Sequence, residues 1–214
     1  MPRTDARGGP QTRARISEVA TRLFLDRGFD SVTVAEVARE AGVSAVTVFK
    51  HFPRKEDLYL DRAEDAHQLL RSAVRDRDPG VDVLGSLREM TLRLLDEGHP
   101  LSGVDDRSIP FFRTVAASPA LVARAREIAA GLQEALAEEI ERDPRTEGDG
   151  TLLAAFFIAG YSTVLIETAR RRLAGEPPGA VPDDHHARLE QLFTALGEGV
   201  LRDQTSRGTS VGSG

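Results

Sequence analysis

At 214 residues, with no Cys, no Trp, two Tyr and a formal net charge of −6, the chain is long enough for one or two domains with a substantial core, and disulfide or thiol chemistry is excluded. Ala, Leu, Arg and Glu dominate and period-2 alternation is scarce, which predicts an all-α protein and argues against a β architecture. The opening MPRTDARGGP has no apolar centre, and the apolar run Leu152 to Ile166 is short and broken by Gly160, Ser162 and Thr163, so neither a signal peptide nor a membrane span is expected and a cytoplasmic location is.

Residues 1–11 are rich in Arg, Gly and Pro and read as a disordered arm. A first helix follows from about Thr12 to Arg27, with Ile16, Val19, Ala20, Leu23 and Phe24 on one face. Thr33 and Glu36 then form a T-x-x-E capping box, and Val34, Val37, Ala38 and Ala41 continue at helical spacing behind it. Gly42 suits the left-handed residue that ends such a helix, and Ser44 is a good N-cap for a further helix from Ala45 to His51. Phe29, Val32, Phe49 and Phe52 are expected to complete a three-helix core.

A fourth helix is expected from near Arg54 or Lys55 to about Arg75. Arg54 stands where Ser would cap better, and Glu56 and Asp57 in the first turn would compensate through the helix dipole. After the breaker Asp78-Pro79-Gly80, helices are expected at about 82–97, 105–116, 119–142, 149–174 and 184–203, then a polar, disordered tail. The resulting division is an arm at 1–11, a reading domain at 12–54, a larger helical domain at 55–203 and a tail at 204–214.

Two short helices joined by a Gly-containing turn, the second carrying polar and basic residues, form the helix-turn-helix pattern for reading a major groove. The charge distribution supports it. Residues 1–60 hold ten Lys and Arg against eight Asp and Glu, while the remainder is strongly acidic, and from Val43 to Lys55 there are Lys50, His51, Arg54 and Lys55 but no acid. By position on the second helix, Ala45, Val46, Thr47 and Lys50 are candidates for base edges. The first two offer only methyl contacts, Thr47 can bond a phosphate or a base, and Lys50 can address guanine acceptors. Thr33, Ser44, His51 and Lys55 are candidates for phosphate contact, with capping alone as the other reading of Thr33 and Ser44. Phe49 falls within the same contact set by position, although its apolar character assigns it to the core beside Phe52. Arg3 and Arg7 either solubilise the terminus or reach into a minor groove.

The segment ARISEVATRLFLDRGFDSVTVAEVAREAGVSAVTVFKHFPRKEDLYL, with Leu23-Phe24, Arg27-Gly28-Phe29, Ala41-Gly42-Val43-Ser44, His51-Phe52 and Lys55-Glu56-Asp57-Leu58 in register, resembles the N-terminal domain of the TetR family of transcriptional regulators, in a form akin to actinobacterial members. Phe49 departs from the Tyr that many members carry there, which removes a hydroxyl. The resemblance implies a homodimer on a palindromic operator, paired through the last two long helices, and a second domain that senses a small-molecule effector and releases the DNA. Repression is the expected sign of regulation.

The residues themselves also point to self-association. Leu152 to Ile166 is apolar nearly all round, so one side is expected to face the core and another a partner. Leu189, Leu192, Phe193, Leu196 and Val200 form a second stripe. Gly160 is either a point of close approach between copies or an internal packing residue. Met90, Leu94, Phe112, Phe157 and Tyr161 are candidate ligand-lining residues, with core packing as the alternative, and His99 and Arg113 could set a cation beside apolar walls for an acyl or aromatic ligand with a negative group. Asp183-Asp184-His185-His186 holds metal-ligand types, but consecutive residues at a helix start diverge, and Asp183 reads as an N-cap. Neither a metal, a cofactor nor an enzymatic activity is expected, since no phosphate loop, G-x-S-x-G elbow or H-E-x-x-H is present. The competing readings are a helix-turn-helix DNA binder without an effector, and a helical enzyme or carrier that has lost DNA binding.

Overall fold

The computed structural model describes residues 9–105, 108–146, 148–176 and 180–199. Arg3 and Arg7, most of the expected arm, Val200 and the expected tail lie outside them. Among the described residues the chain is all-α: α1 Pro10–Arg27, α2 Val34–Glu40, α3 Ala45–His51, α4 Ala63–Arg75, α5 Val83–Asp96, α6 Ile109–Ala117, α7 Pro119–Arg142, α8 Gly150–Leu173 and α9 Ala180–Gly199, with short 3-10 turns at Glu56–Leu58 and Pro100–Ser102. The packing separates into two units. One joins the described residues up to Ala63 with Pro110–Arg126, and the other comprises the described residues of Glu64–Ile109 and those from Glu127 onward. Packing thus draws a later segment into the N-terminal unit, where the sequence suggested one contiguous domain.

In the first unit, Ile16, Phe24, Phe29, Val32, Val37, Val48, Phe52, Leu58, Tyr59 and Leu121 are buried together. The aromatic rings meet edge-on or tilted, Phe24 with Phe29 at 4.9 Å and with Tyr59 at 5.7 Å, and Tyr59 stacks on Phe111 at 5.0 Å. Pairs of this kind add about 0.5–1.5 kcal/mol beyond the area they bury. Helix α1 begins at Pro10, inside the expected arm, because the missing N–H of proline is harmless in a first turn.

The fourth helix starts at Ala63, not near Lys55. Leu58 and Tyr59 are both buried, at the end of the short 3-10 turn that precedes it. The Asp61 carbonyl accepts from Arg13 Nη2 at 3.1 Å, and the Ser17 hydroxyl donates to the Asp61 carboxylate, which holds the irregular stretch. Arg54 is capped from the third position after all: Asp57 Oδ2 accepts from the Arg54 N–H at 3.1 Å, and its other oxygen accepts from Arg124 Nε at 2.7 Å.

The second unit has its own core of Leu70, Val74, Leu87, Met90, Leu94, Leu136, Ile140, Leu153, Phe157, Phe193 and Leu196. Among the charged groups buried in this unit, Glu139 and Arg77 are paired. Glu139 accepts two hydrogen bonds from Arg75, at 2.6 and 2.8 Å, and one from Arg71 at 3.3 Å. Arg77 pairs with Asp143 and donates to the Val74 and Val81 carbonyls at 2.6 and 3.0 Å. Removing one partner of the buried Arg77–Asp143 pair costs about 3–5 kcal/mol. Burial alone would raise the Asp143 carboxyl, but hydrogen bonds from Thr146, Arg145 and Arg77 together hold it well below the ordinary carboxylate range.

Helix α8 has 24 residues, longer than the apolar run legible in the sequence, and by length and composition it could cross a membrane. Its Leu153, Ala154, Phe157, Ile158, Val164 and Ala169 are instead buried in the unit, packed chiefly on α9. Gly160 belongs to that contact: a Cβ there would run into the Leu192 side chain, so the close approach lies within the protomer. The α9 stripe is largely internal, since Leu189, Phe193 and Leu196 are buried. The α9 helix starts at Ala180, with Pro182 tolerated in its first turn and Asp183 inside that turn, not capping it. His185 is buried and shares a 2.7 Å hydrogen bond with the Thr168 hydroxyl, while His186 is exposed.

Candidate nucleic-acid interface

Local hydrogen bonds fix the two short helices before any long-range packing is considered. The Thr33 hydroxyl accepts from the Glu36 N–H at 3.2 Å and donates to Glu36 Oε2 at 2.9 Å, and the same oxygen accepts from the Thr33 N–H at 2.8 Å. Arg27 Nη2 donates to the other oxygen at 2.8 Å. The backbone bond from Thr33, then the bonds from Arg27 and the Thr33 hydroxyl, bring the Glu36 carboxyl down to about 2. At the far end Gly42 takes φ 66°, and the bonds Gly42 N to Arg39 O and Val43 N to Ala38 O, at 3.1 and 2.9 Å, close a Schellman turn. Ser44 then caps α3, accepting from Thr47 N at 3.1 Å, and the Ser44 and Thr47 hydroxyls bond each other at 2.9 Å. Each cap is worth about 1 kcal/mol.

Inside this frame α3 has one buried face and one open one. Val48 and Phe52 point inward and are fully buried. Phe49 does not join them, contrary to its expected place in the core: it is 49% exposed, and Val46 is 79% exposed. A step of about 100° per residue rotates position 49 off the face that carries 48 and 52. Ala45 and Lys50 are exposed as well, and Thr47 is partly so. The structure therefore brings Ala45, Val46, Phe49 and Lys50 to solvent on one short helix, with Ser44 and Thr47 engaged at its start.

Lys55 is differently placed. Its ammonium donates to the Phe29 carbonyl at 2.6 Å and lies 4.2 Å from the Phe29 ring centroid and 5.8 Å from that of Phe24. Partial burial lowers its pKa, which the charges of Asp30, Glu56 and Glu36 oppose. His51 is half-buried with Nε2 enclosed. Arg13 stacks its guanidinium 4.4 Å from the Phe52 ring centroid. The contribution of Tyr59, Phe111, Leu121 and Arg124 to this unit had no signal in the sequence, since each meets its partner across a long stretch of chain.

Residues 16–61 match the family model described as "Bacterial regulatory proteins, tetR family". That segment is similar to the DNA-binding part of the TetR family. Among its relatives, the HTH-type transcriptional regulator TtgR of Pseudomonas putida is 35% identical over 100 residues, 45% of this chain and 47% of that one. The chain spans about half the length of the curated relatives it matches first. Similar solved structures include SmeT of Stenotrophomonas maltophilia in complex with triclosan, with a TM-score of 0.55 at 18% identity over 86% of this chain and 91% of that one. Another is FadR of Thermus thermophilus in complex with lauroyl-CoA, with a TM-score of 0.52 at 23% identity over 94% of this chain and all (100%) of that one. At these identities the likeness is one of fold.

The seven ligand candidates do not come together in one unit. Met90, Leu94 and Phe157 are buried in the second unit at 6, 5 and 2% exposure. Tyr161 packs against them, its hydroxyl donating to the Leu101 carbonyl at 2.9 Å, and burial pushes it up to about 12. His99 caps the turn beside it, its Nδ1 accepting from Leu101 N at 3.2 Å. Phe112 and the exposed Arg113 fall in the first unit instead. Among the described residues no group of three or more His, Cys, Asp or Glu is arranged to hold a metal ion.

Proposed function

We propose that this chain is a DNA-binding transcriptional regulator, a repressor that binds a palindromic operator as a homodimer in the cytoplasm and leaves it when a small-molecule effector binds. One observation carries the reading: a doubly capped helix-turn-helix presents Ala45, Val46, Phe49 and Lys50 to solvent in a stretch without acids. Lys50 addresses base edges, with Thr47, Ser44 and His51 at the phosphates beside it. Thr33 and Lys55, already bonded within the unit, act chiefly by holding α2 and the Phe29 turn in place. The relatives that match are named as transcriptional regulators, which favours this reading over an enzyme.

The homodimer is proposed on α8, where Leu152, Phe156 and Ile166 remain about half exposed on a helix otherwise packed in its own unit. The effector is proposed to be apolar and to enter the second unit around Met90, Leu94, Phe157 and Tyr161. The triclosan and lauroyl-CoA complexes of SmeT and FadR support that class. The tight burial of Met90, Leu94 and Phe157 favours the second reading, a DNA-binding regulator with no small-molecule effector.

The deciding experiment is binding to DNA flanking the chain's own gene, at low and physiological salt, with random DNA as competitor. Saturable binding that survives the competitor is expected, with release by triclosan, lauroyl-CoA or another apolar compound if an effector exists. Affinity no better than for random DNA at either salt, for every fragment selected from a random pool, would remove the reading.

A further inference from the structure

Among the described residues of the second unit, the buried hydroxyls have partners, with one exception. Ser86 donates to the Ala73 carbonyl and Ser102 to that of His99, both at 2.7 Å, and Thr168 shares its bond with His185. The Tyr161 hydroxyl is engaged by Leu101. Thr91 on α5, 1% exposed, bonds nothing through its Oγ1. A threonine inside a helix can turn its hydroxyl to the carbonyl four residues back, and Thr114, Thr163 and Thr194 do so here, at 3.1, 2.8 and 2.9 Å. Thr91 does not, although it shares its helix with the buried Leu87, Met90 and Leu94 and has no water to turn to.

A second buried polar atom is open in the same unit. His185, 1% exposed, engages Nδ1 with Thr168 and has no partner at Nε2. Arg88 of α5 bonds Glu190 of α9 at 2.9 and 2.5 Å, and a Cβ at Gly197 would lie 3.7 Å from Leu84, so the two helices run antiparallel. Thr91 follows Arg88 by about one turn and His185 precedes Glu190 by about a turn and a half, which puts both residues toward the same end of that contact. An unmade bond on a buried polar atom destabilises the empty chain, and such atoms point to a group that completes them. Burial, with Arg188 and Arg172 adding to it, keeps His185 uncharged at neutral pH. A hydroxyl and a neutral imidazole are both met by a group that donates and accepts at once. The buried Met90, Leu94 and Phe157 make the surroundings unfavourable to an ion.

We propose that the second unit binds an apolar ligand carrying one uncharged hydroxyl, a phenol or an alcohol, with Thr91 bonded to that hydroxyl and His185 Nε2 as the second atom open to it. This rests on the effector reading above and narrows its chemistry from apolar to apolar with one polar end. Met90 and Leu94, beside Thr91 on α5, supply apolar wall. Tyr161 is not the anchor, because its hydroxyl is held by the Leu101 carbonyl.

The test uses the full chain without DNA. Phenol and 1-naphthol are the probes, each set against the compound in which a methyl group replaces the hydroxyl, toluene and 1-methylnaphthalene. Affinity is read by isothermal titration calorimetry at neutral pH. In at least one pair the hydroxyl compound is expected to bind about tenfold more tightly than its methyl counterpart, the ratio for one buried hydrogen bond. Thr91→Val keeps the branched shape and removes the open hydroxyl. It is expected to erase that ratio while the melting temperature of the empty chain stays the same or rises. Equal affinities within both pairs, the sign of polar atoms already closed by trapped water, would overturn the proposal and leave the effector reading standing. A ratio that survives in Thr91→Val, or tighter binding of 1-naphthoate than of 1-naphthol, would do the same. A chain that binds none of these compounds up to their solubility limits would overturn the proposal and the apolar effector together.

Discussion

Helices α3 and α8 both leave large apolar side chains in water, yet their settings differ. On α3 the exposed pair, Val46 and Phe49, lies on a helix of seven residues in a stretch that carries basic residues and no acid. On α8 the exposed Leu152, Phe156 and Ile166 are spread along 24 residues whose opposite side is buried against α9 and the core. A small apolar patch with a cation beside it fits a charged groove. A long stripe on a rigid helix fits another apolar stripe, and two-fold symmetry makes a second copy of the same surface its natural complement.

The sharpest way to break that comparison is to place a charge in the α8 stripe. Phe156→Glu is expected to convert a dimer into a monomer at micromolar concentration, seen by sedimentation velocity, because a carboxylate desolvated in an interface costs several kcal/mol. Operator affinity should fall by about 100-fold or more, since a monomer reads only one half-site. A wild-type chain that sediments as a monomer, or a variant that remains a dimer, would show that α8 does not pair.

The next test concerns stability. Lys55→Ala removes a charged donor from the Phe29 carbonyl and a cation from the Phe29 ring, and is expected to lower stability by about 1.5–3 kcal/mol. Its salt dependence of DNA binding should stay close to that of the wild type. A drop of about one unit in the salt slope with unchanged melting would return Lys55 to the phosphates. Lys50→Ala is expected to do the reverse. It should leave melting unchanged, reduce affinity by about 1–3 kcal/mol and relax preference at one position per half-site, which titrations on matched and mismatched duplexes would reveal.

These two lysines also mark what the sequence could convey. The Thr33 and Glu36 box, the Gly42 turn and the Ser44 cap were legible because each closes within a few residues, where identity and spacing suffice. Which way Phe49 points, or that Lys55 folds back onto the Phe29 carbonyl, depends on tertiary rotation and contact that no local pattern encodes. The all-helical class and most helix spans followed from periodicity. The late start of α4 did not, because the residues that hold Asp61 come from α1, far away in sequence. In the second unit the buried Glu139 and Arg77 pairings are likewise long-range, and the candidate pocket residues give no sign in the sequence of whether they line a cavity or fill a core.

The smallest expected effect separates the two regions by pH. His185, buried on α9 and bonded to Thr168 of α8, is brought down to about 4 by burial, with Arg188, Arg172 and His186 adding to the shift and Asp184 opposing it. Its folded pKa lies below the unfolded value of about 6.5, so the unfolded chain takes up the proton first and stability falls as the pH drops from about 6.5 towards 4. The loss is about 1 kcal/mol at pH 5.5. Glu36, at about 2, loses its contribution only as the pH falls below its ordinary value of 4.5. Between these ranges the α8–α9 pairing weakens while the cap of α2 is untouched. Hydrogen exchange at pH 5.5 against pH 7.5, corrected for intrinsic rates, should therefore show faster opening of α8 and α9 with α2 and α3 unchanged. His185→Gln should remove that pH dependence. Equal loosening of both regions would mean that His185 is not the group that couples acid to the α8–α9 contact.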